Sequence, residues 1–196
     1  MTDSPSALDP SALDPSALDP STGRPDTTRA STLLDHPAVS RVRDALARAG
    51  VRADVVVLDG AARTAAQAAA ALGTSVAAIA NSLVFVATTT EGARLPLLVL
   101  TSGGHRVDTD HLATITGYAS IGKADAEFVR NTTGFIIGGV APVAHTGPVT
   151  TLVDVTLADH DVVWAAAGHT HTVFPTTHDE LVRVTGGRSV TVRPPA

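Results

Sequence analysis

Residues 133–142, which read TGFIIGGVAP, carry the strongest single signal for the fold in this chain of 196 residues. The run is mostly apolar up to Ile137, and Gly138 and Gly139 follow directly before a Val-Ala-Pro sequence. This pattern predicts a strand over residues 135–140 that runs into a glycine loop. Glycine lets backbone N–H groups approach a ligand, and such amides can hold a carbonyl oxygen without a catalytic side chain. A bulge or tight turn uses the same residues equally well, so both interpretations stay open.

Outward from this stretch, helices and strands alternate along the chain. Apolar residues at helical spacing over residues 38–49, and Thr64 and Gly73 on either side of an alanine-rich segment, predict two helices. Further helices are predicted over residues 76–80, 109–115, 124–131 and 178–184. Strands are predicted over residues 54–58, 82–87, 95–101, 135–140, 149–153, 162–166, 172–174 and 189–192. Because strands occur both singly between helices and in succession, we expect a mixed sheet and an α/β or α+β fold.

The N-terminal region differs in character from the rest. Residues 6–20 are three copies of SALDP, and a proline at every fifth position prevents a continuous helix. The segment is polar and acidic, which predicts a disordered tail over residues 1–33 and one folded domain over residues 34–196. A short linear binding motif inside the tail is the alternative.

Composition excludes several classes of protein. The chain has no cysteine, so disulfides, thiolate catalysis and cysteine-ligated metal sites are excluded. Its net charge of -5 and its low aromatic content argue against a broad nucleic-acid-binding surface, so contact with RNA should be local. The sequence has neither a long apolar segment nor a basic and apolar leader. We therefore expect a cytoplasmic protein that binds neither membrane nor DNA.

Signatures of common enzyme classes are absent from the sequence. There is no GxxxxGK[ST] phosphate loop, the two glycines of GGVAP lack Rossmann spacing, and no GxSxG motif marks a nucleophilic serine. His169 and His171 form an HxH pair, which with His178 or His145 could bind zinc. HxH alone is a weak metal signal, and histidines at the rim of a pocket are the alternative.

Several segments together resemble the YbaK/EbsC family, which is related to the editing domain of bacterial prolyl-tRNA synthetases. Residues 133–142 resemble its TG-[YF]-x-[IV]-GG-[VI]-x-P motif, and residues 79–86 (IANSLVFV) resemble its I-x-K-[ST]-L-[VL]-[FV] strand. The remaining similar segments follow in family order over residues 36–194. They are residues 104–112, Leu152-Val153-Asp154, Ala166-Ala167-Gly168 and Glu180-Leu181.

The resemblance implies a fold, an activity and partners. The fold is a mixed, strongly curved sheet surrounded by helices. The activity is hydrolysis of the ester of a mischarged aminoacyl-tRNA, usually alanine or cysteine on proline tRNA, and it requires no metal or other cofactor. The implied partners are the aminoacylated 3′ end of tRNA and an aminoacyl-tRNA synthetase.

The resemblance also implies a set of site residues. Asn81 and Gly138 are the implied catalytic residues, with the Gly138 backbone contacting the aminoacyl group or the terminal ribose. The family's lysine is Asn81 here, which keeps hydrogen-bonding groups but brings no charge. Asn81 as a plain turn residue is the alternative. Residues implied to bind the substrate or shape its pocket are Ser82, Gly139, Val140, Pro142, Ala166, Ala167, Gly168 and His169.

Three functions follow, in decreasing order of support from the sequence. The first is a trans-acting aminoacyl-tRNA deacylase. The second is a non-catalytic module on the same fold that binds tRNA or a synthetase. The third is a histidine-based metallohydrolase, which rests on the HxH pair alone.

Overall fold

The computed structural model describes residues 27–52 and 54–194. Most of the predicted tail, including the SALDP repeats, lies outside the described residues. Helix α1 (Thr27–Leu34) occupies the last part of that predicted tail, and Arg29 Nη1 donates a 3.1 Å hydrogen bond to the Asp59 carbonyl. None of the helices in the described ranges is long and apolar enough to cross a membrane.

The other helices begin and end close to the positions that the sequence predicts. Thr64 caps α3 by accepting a hydrogen bond from the Gln67 N–H, and Gly73 ends it in the left-handed conformation. Thr177 caps α6 in the same way. The helices after α1 are α2 (Pro37–Arg48), α3 (Ala65–Leu72), α4 (Thr109–Thr116), α5 (Ala126–Thr133) and α6 (His178–Thr185). The predicted helix over residues 76–80 is a single 3-10 turn, Val76–Ala78.

Eight strands form one mixed sheet in the described part of the chain, as the alternation predicts. Their order is β1-β7-β6-β2-β3-β5-β8, and β4 also pairs with β2. Strand β2 is parallel to β6, and β3, β5 and β8 are parallel to one another, while the remaining pairs are antiparallel. The strands are β1 (Val56–Val57), β2 (Ile79–Thr88), β3 (Arg94–Ser102), β4 (Ser120–Lys123), β5 (Thr150–Asp154), β6 (Val163–Ala166), β7 (Thr172–Thr176) and β8 (Arg188–Val190).

The predicted strand over residues 135–140 is wrong. This segment is an irregular loop after α5, in which Phe135 is buried whereas Ile136 and Ile137 are 45% and 59% exposed. Arg41 fixes the loop, because its guanidinium lies over the Phe135 ring and donates to two loop carbonyls. The apolar run therefore reflects one buried aromatic anchor and not a paired strand. The short, polar strand β4 was not predicted.

Two cores lie on opposite faces of the sheet. Leu98 and Leu100 of β3 belong to one core, which also includes residues of α2, α6 and the loop after α5. Leu97 and Val99 belong to the other, which packs against α4 and β4. Successive side chains of β3 therefore point to opposite faces of the sheet, as expected for a strand that is covered by apolar residues on both faces.

Along part of one edge, strand β2 has no neighbouring strand from residues 27–52 or 54–194. Strand β6 pairs with Ile79 and Ala80, and β4 pairs with residues 85–88. Residues 81–84 lie between them and pair only with β3. We call this interval the β2 gap.

The hydrogen-bonding direction of β2 shows which groups face the β2 gap. The Gly103 N–H donates to the Ile79 carbonyl, so odd-numbered residues of β2 bond to β3. Even-numbered residues then face the other edge, as the Thr88 carbonyl does when it accepts from Ala119. The backbone N–H and C=O groups of Ser82 and Val84 therefore point into the β2 gap, where no strand of the described chain pairs with them.

Candidate functional site

A cavity of about 240 Å³ opens beside the β2 gap, and we call it the β2 cavity. Its walls come from the start of β2, from α3 and the residues before it, from the loop after α5, and from β6, β7 and their connection. None of the lining residues is acidic. They are Ala62, Arg63, Thr64, Ala65, Ala68, Ile79, Ala80, Asn81, Ser82, Leu83, Ile137, Gly138, Val140, Trp164, Ala166, His169, Thr170, Thr172 and Val173.

Asn81 and Ser82 supply unpartnered polar groups to the β2 cavity. The Asn81 side chain is half-buried and makes no hydrogen bond to another described residue. Ser82 Oγ is buried and likewise has no partner in the described part of the chain. A buried hydroxyl without a partner costs free energy. Because Ser82 Oγ is inaccessible to water, the groups of Ser82 that can meet a ligand are its backbone N–H and C=O, which face the β2 gap.

The glycine pair forms a turn that closes one side of the cavity. Gly138 has a φ of +87°, a conformation that side chains other than glycine rarely adopt. The Gly139 N–H donates to the Ile136 carbonyl at 2.9 Å, so it closes the turn and is not available to a ligand. The N–H groups of Gly138 and Val140 make no backbone hydrogen bond to another described residue. They are the candidate donors of this turn.

The turn packs against the connection between β6 and β7. A Cβ on Gly139 would lie 3.1 Å from the Cα of His169, so a larger residue would require the connection to move by a few tenths of an ångström. Along the same connection, the Thr170 carbonyl accepts from the Ala62 N–H at 2.7 Å. Three loops that are distant in sequence thus meet at the cavity.

Four of the predicted site residues do not line the cavity, namely Gly139, which closes the turn, and Pro142, Ala167 and Gly168. Ala167 is fully buried, and its N–H donates to the Thr172 carbonyl. Gly168 packs so closely against α2 that a Cβ would lie 2.8 Å from the Ala38 carbonyl oxygen. Pro142 is buried in the loop after α5.

Arg63, Trp164 and Thr170 also line the cavity, although no motif in the sequence predicts them as site residues. Arg63 immediately precedes Thr64, the cap of α3. A basic residue at the start of a helix is the sequence signal that could have identified Arg63 as a site residue. Trp164 and Thr170 carry no local signal, because only pairing of β6 with β2 and β7 brings them to the cavity.

The histidines do not form a metal site. His145 Nε2 donates to the Ala141 carbonyl at 2.9 Å, and His178 contacts Asp179 and Ser189. Both imidazoles therefore bond to groups other than the HxH pair. Among the described residues, no group of three or more His, Asp or Glu side chains is arranged to hold a metal ion.

His169 and His171 stack at the rim of the cavity, with ring centroids 5.2 Å apart. Burial lowers the pKa of His169, and the nearby His36 and His171 lower it further. Burial also lowers the pKa of His171, and Arg29 and Arg63 act in the same direction. The rim is thus a region of positive potential in which the imidazoles favour the neutral form.

A second polar network lies at the carboxyl ends of β3 and β5. The buried Asp154 carboxylate accepts from the Ser102 N–H at 3.0 Å and from the Thr156 N–H at 3.1 Å. His105 Nε2 contacts the same carboxylate at 2.6 Å, and the Thr101 hydroxyl donates to it at 3.2 Å. Thr101 and Ser102 lie opposite Asn81 and Ala80 in the β2–β3 ladder, so this network supports one wall of the β2 cavity.

Comparison with known proteins gives a consistent result. A family model described as "Aminoacyl-tRNA editing domain" matches residues 59–184. A crystal structure described as that of "a putative trans-editing enzyme for prolyl tRNA synthetase" is 37% identical, covers 81% of this chain and 98% of its own, and has a TM-score of 0.73. No curated protein matches the chain.

Two further solved structures share the fold. One comes from work on epitope backbone grafting onto scaffold proteins, with 34% identity, coverage of 82% of this chain and 99% of its own, and a TM-score of 0.73. The other is a hypothetical protein with 26% identity, coverage of 78% and 98%, and a TM-score of 0.70.

The mixed sheet, the cavity at the β2 gap and these similarities define an editing-domain fold. The chain belongs to the aminoacyl-tRNA editing domain family.

Proposed function

We propose that this protein is a trans-acting deacylase that hydrolyses the ester of a mischarged aminoacyl-tRNA. The observation that carries the proposal is the β2 cavity, where Asn81, Ser82 and the Gly138 turn meet around unpartnered polar groups. Its membership in the editing-domain family supports the same substrate class. The substrate would be a small amino acid, such as alanine or cysteine, on proline tRNA.

The size and lining of the cavity support a small, uncharged amino acid. Pockets for drug-sized ligands span about 300–1,000 Å³, and this cavity is smaller at about 240 Å³. Ala65, Ala68, Ile79 and Trp164 supply apolar lining, while no carboxylate lines the cavity to pair with a basic side chain. A small side chain would fill the apolar part of this space.

Neutral groups would hold the reacting ester. The Gly138 and Val140 N–H groups are candidates to stabilise the oxyanion that forms at the ester carbonyl. Asn81 would orient the attacking water or a ribose hydroxyl, and the Ser82 backbone groups that face the β2 gap would bond to the aminoacyl group. Water adds to the carbonyl carbon, the ester C–O bond breaks, and a proton passes to the ribose oxygen, which releases the amino acid and free tRNA.

The cavity offers no strong general base, and the reaction does not require one. No carboxylate lines the cavity, and His169 Nδ1 already accepts a hydrogen bond from the His171 N–H at 3.3 Å. An aminoacyl ester is activated, so positioning and electrostatic stabilisation can supply much of the rate enhancement.

The second candidate is a non-catalytic module that binds tRNA or a synthetase. The uncharged Asn81, which stands where the resembling sequences carry lysine, favours it. In both cases the partner is the 3′ end of tRNA, and the expected location is the cytoplasm, where tRNA and synthetases act.

Turnover distinguishes the two candidates. The purified protein is incubated with tRNA charged with radiolabelled alanine, cysteine, serine or proline, and loss of the ester is followed against a buffer control. We expect accelerated loss for at least one small amino acid. If no ester is lost faster than in buffer while charged tRNA still binds, the deacylase proposal is wrong and the binding module replaces it.

A further inference from the structure

Arg63 and His169 line the β2 cavity, and His36 and His171 contact His169; we call these four side chains the rim cluster. The His36 and His169 ring centroids are 5.1 Å apart, and the His169 and His171 rings stack at 5.2 Å. His36 precedes α2, Arg63 precedes α3, and the HxH pair connects β6 to β7. The cluster is therefore built by the fold from three separate segments.

The imidazoles of the rim cluster are held as hydrogen-bond donors. His36 Nδ1 accepts the Ala38 N–H at 3.2 Å as the cap of α2. His169 Nδ1 accepts the His171 N–H at 3.3 Å. Because each Nδ1 is an acceptor, the neutral ring carries its hydrogen on Nε2. Two N–H donors are thus oriented even when both rings are uncharged.

Within the described ranges, no carboxylate forms an ion pair with a member of the rim cluster. The Arg63 guanidinium forms no hydrogen bond or ion pair with another described residue. No Asp or Glu carboxylate of the described chain bonds to the three histidines of the cluster. An anion that binds here would relieve the repulsion among these basic groups, which adds to the larger effect of burial in lowering the pKa values of His169 and His171.

We propose that the rim cluster binds a phosphate of the tRNA 3′ end, the phosphodiester that joins the last two nucleotides. An aminoacyl ester in the β2 cavity is attached to the terminal ribose, and that phosphate lies on the other side of the same ribose. Arg63 can hold a phosphate through two parallel N–H donors, and the His36 and His169 N–H groups can bond to its oxygens. This inference rests on the proposed function, because it takes the aminoacyl end as the ligand of the cavity.

The test compares a dinucleotide that carries this phosphate and the preceding cytidine with adenosine, which carries neither, and the variants below isolate the contribution of the phosphate. Binding of the dinucleotide cytidylyl-3′,5′-adenosine and of adenosine to the full-length protein is measured by calorimetry at low salt. Loss of one charge-assisted hydrogen bond corresponds to about tenfold in affinity, so the dinucleotide should bind at least about tenfold more tightly. The ring C–H signals of the histidines in proton NMR spectra should shift with the dinucleotide and not with adenosine.

Three variants locate the effect. Arg63→Gln should abolish the difference between the two ligands, whereas Arg43→Gln, on the exposed side of α2, should keep it. His36→Asn removes the ring but retains a good helix cap, so it should reduce the difference while the melting temperature is preserved. Melting temperatures of all variants are compared first, which separates loss of binding from loss of folding.

Each outcome decides a different point. Equal binding of the dinucleotide and adenosine to the wild-type protein would overturn the proposal, as would a difference that survives Arg63→Gln and His36→Asn together. Inorganic phosphate that competes as strongly as the dinucleotide would mean a general anion site and would overturn the assignment to tRNA. If phosphate-dependent binding is found but no charged tRNA is deacylated, the rim cluster stands and the catalytic proposal fails.

Discussion

Asn81 lies directly opposite Thr101 in the β2–β3 ladder, and the Thr101 hydroxyl donates a 3.2 Å hydrogen bond to the buried carboxylate of Asp154. Ser102, next to Thr101, bonds to the same carboxylate through its N–H and to the Ala77 carbonyl through its hydroxyl. The carboxyl end of β5 is thereby tied to the start of β2. The position of Asn81 therefore depends on Asp154, which lies outside the cavity.

Replacing Asp154 should strongly destabilise the protein. Asp154→Ala would leave buried donors from Thr101, Ser102 and His105 without an acceptor, and we expect a loss of about 3 kcal/mol or more in unfolding free energy. Urea unfolding measures this loss in unfolding free energy. Asp44→Ala, on the exposed face of α2, is the control and should change stability by less than about 0.5 kcal/mol. A loss below about 1 kcal/mol for Asp154→Ala would mean that the network contributes little.

The Gly138 turn can be tested against a glycine of nearly identical conformation. Gly138 and Gly92 have φ values of +87° and +86°, but a Cβ on Gly92 would meet nothing within 4 Å. Gly138→Ala and Gly92→Ala should each cost about 1–2 kcal/mol of stability, because both place alanine in the left-handed region. Only Gly138→Ala should reduce deacylation, and Gly138→Val should abolish it, since a branched side chain would crowd the turn beside Arg63 and Thr170. Equal activity in Gly138→Ala and Gly92→Ala would remove the turn from the site.

Asn81 can be tested by loss and by gain of function. Asn81→Ala should slow ester loss by about fivefold to tenfold, the effect of one lost hydrogen bond of about 1 kcal/mol or slightly more. Asn81→Lys should preserve or raise the rate, because a cation would attract the terminal nucleotide. Asn131→Ala, on exposed α5, serves as the control. If both Asn81 variants match the wild type in ester-loss rate, Asn81 is a structural residue only.

Stability should fall on acidification because of the HxH pair. The pKa values of His169 and His171 are lowered in the folded state, so below about pH 6.5 the unfolded chain binds protons first. Stability contributed by the neutral rings is present above that pH and is lost as the pH falls through the lowered pKa values. The basic groups that face the HxH pair are His36, Arg29 and Arg63.

The measurement is urea unfolding at about pH 7.5 and about pH 5.5. The double variant His169→Gln, His171→Gln should lose less stability between these pH values than the wild type does. His160→Gln is the control outside the rim cluster and should behave as the wild type. An identical acid-induced loss in the double variant would show that the HxH pair does not contribute.

Salt should weaken tRNA binding only shallowly. With few basic groups at the rim, we expect two or three phosphate contacts and a slope of log K against log salt of about -2. Arg63→Gln should reduce the magnitude of that slope by about one, whereas Arg43→Gln should not. A slope that corresponds to six or more contacts would contradict this and point to a basic surface elsewhere.

Local signals in the sequence were sufficient for most of the secondary structure. Capping residues such as Thr64 and Thr177 fixed helix starts, because a side-chain oxygen satisfies an N–H within the next turn. The same local logic failed over residues 135–140, where an apolar run is typical of a strand. The run is instead held by long-range contacts from Arg41, which lies about 90 positions earlier in the chain.

The sequence by itself determined the family, the fold class and several residues of the cavity, among them Asn81, Ser82, Gly138 and His169. These lie in short motifs whose order is visible along the chain. Tertiary structure alone decided that β2 has an unpaired interval, since this depends on where β6 and β4 end. It also brought His36 beside His169 and placed Arg63 at the same rim, because strand pairing and loop packing join segments that share no local signal.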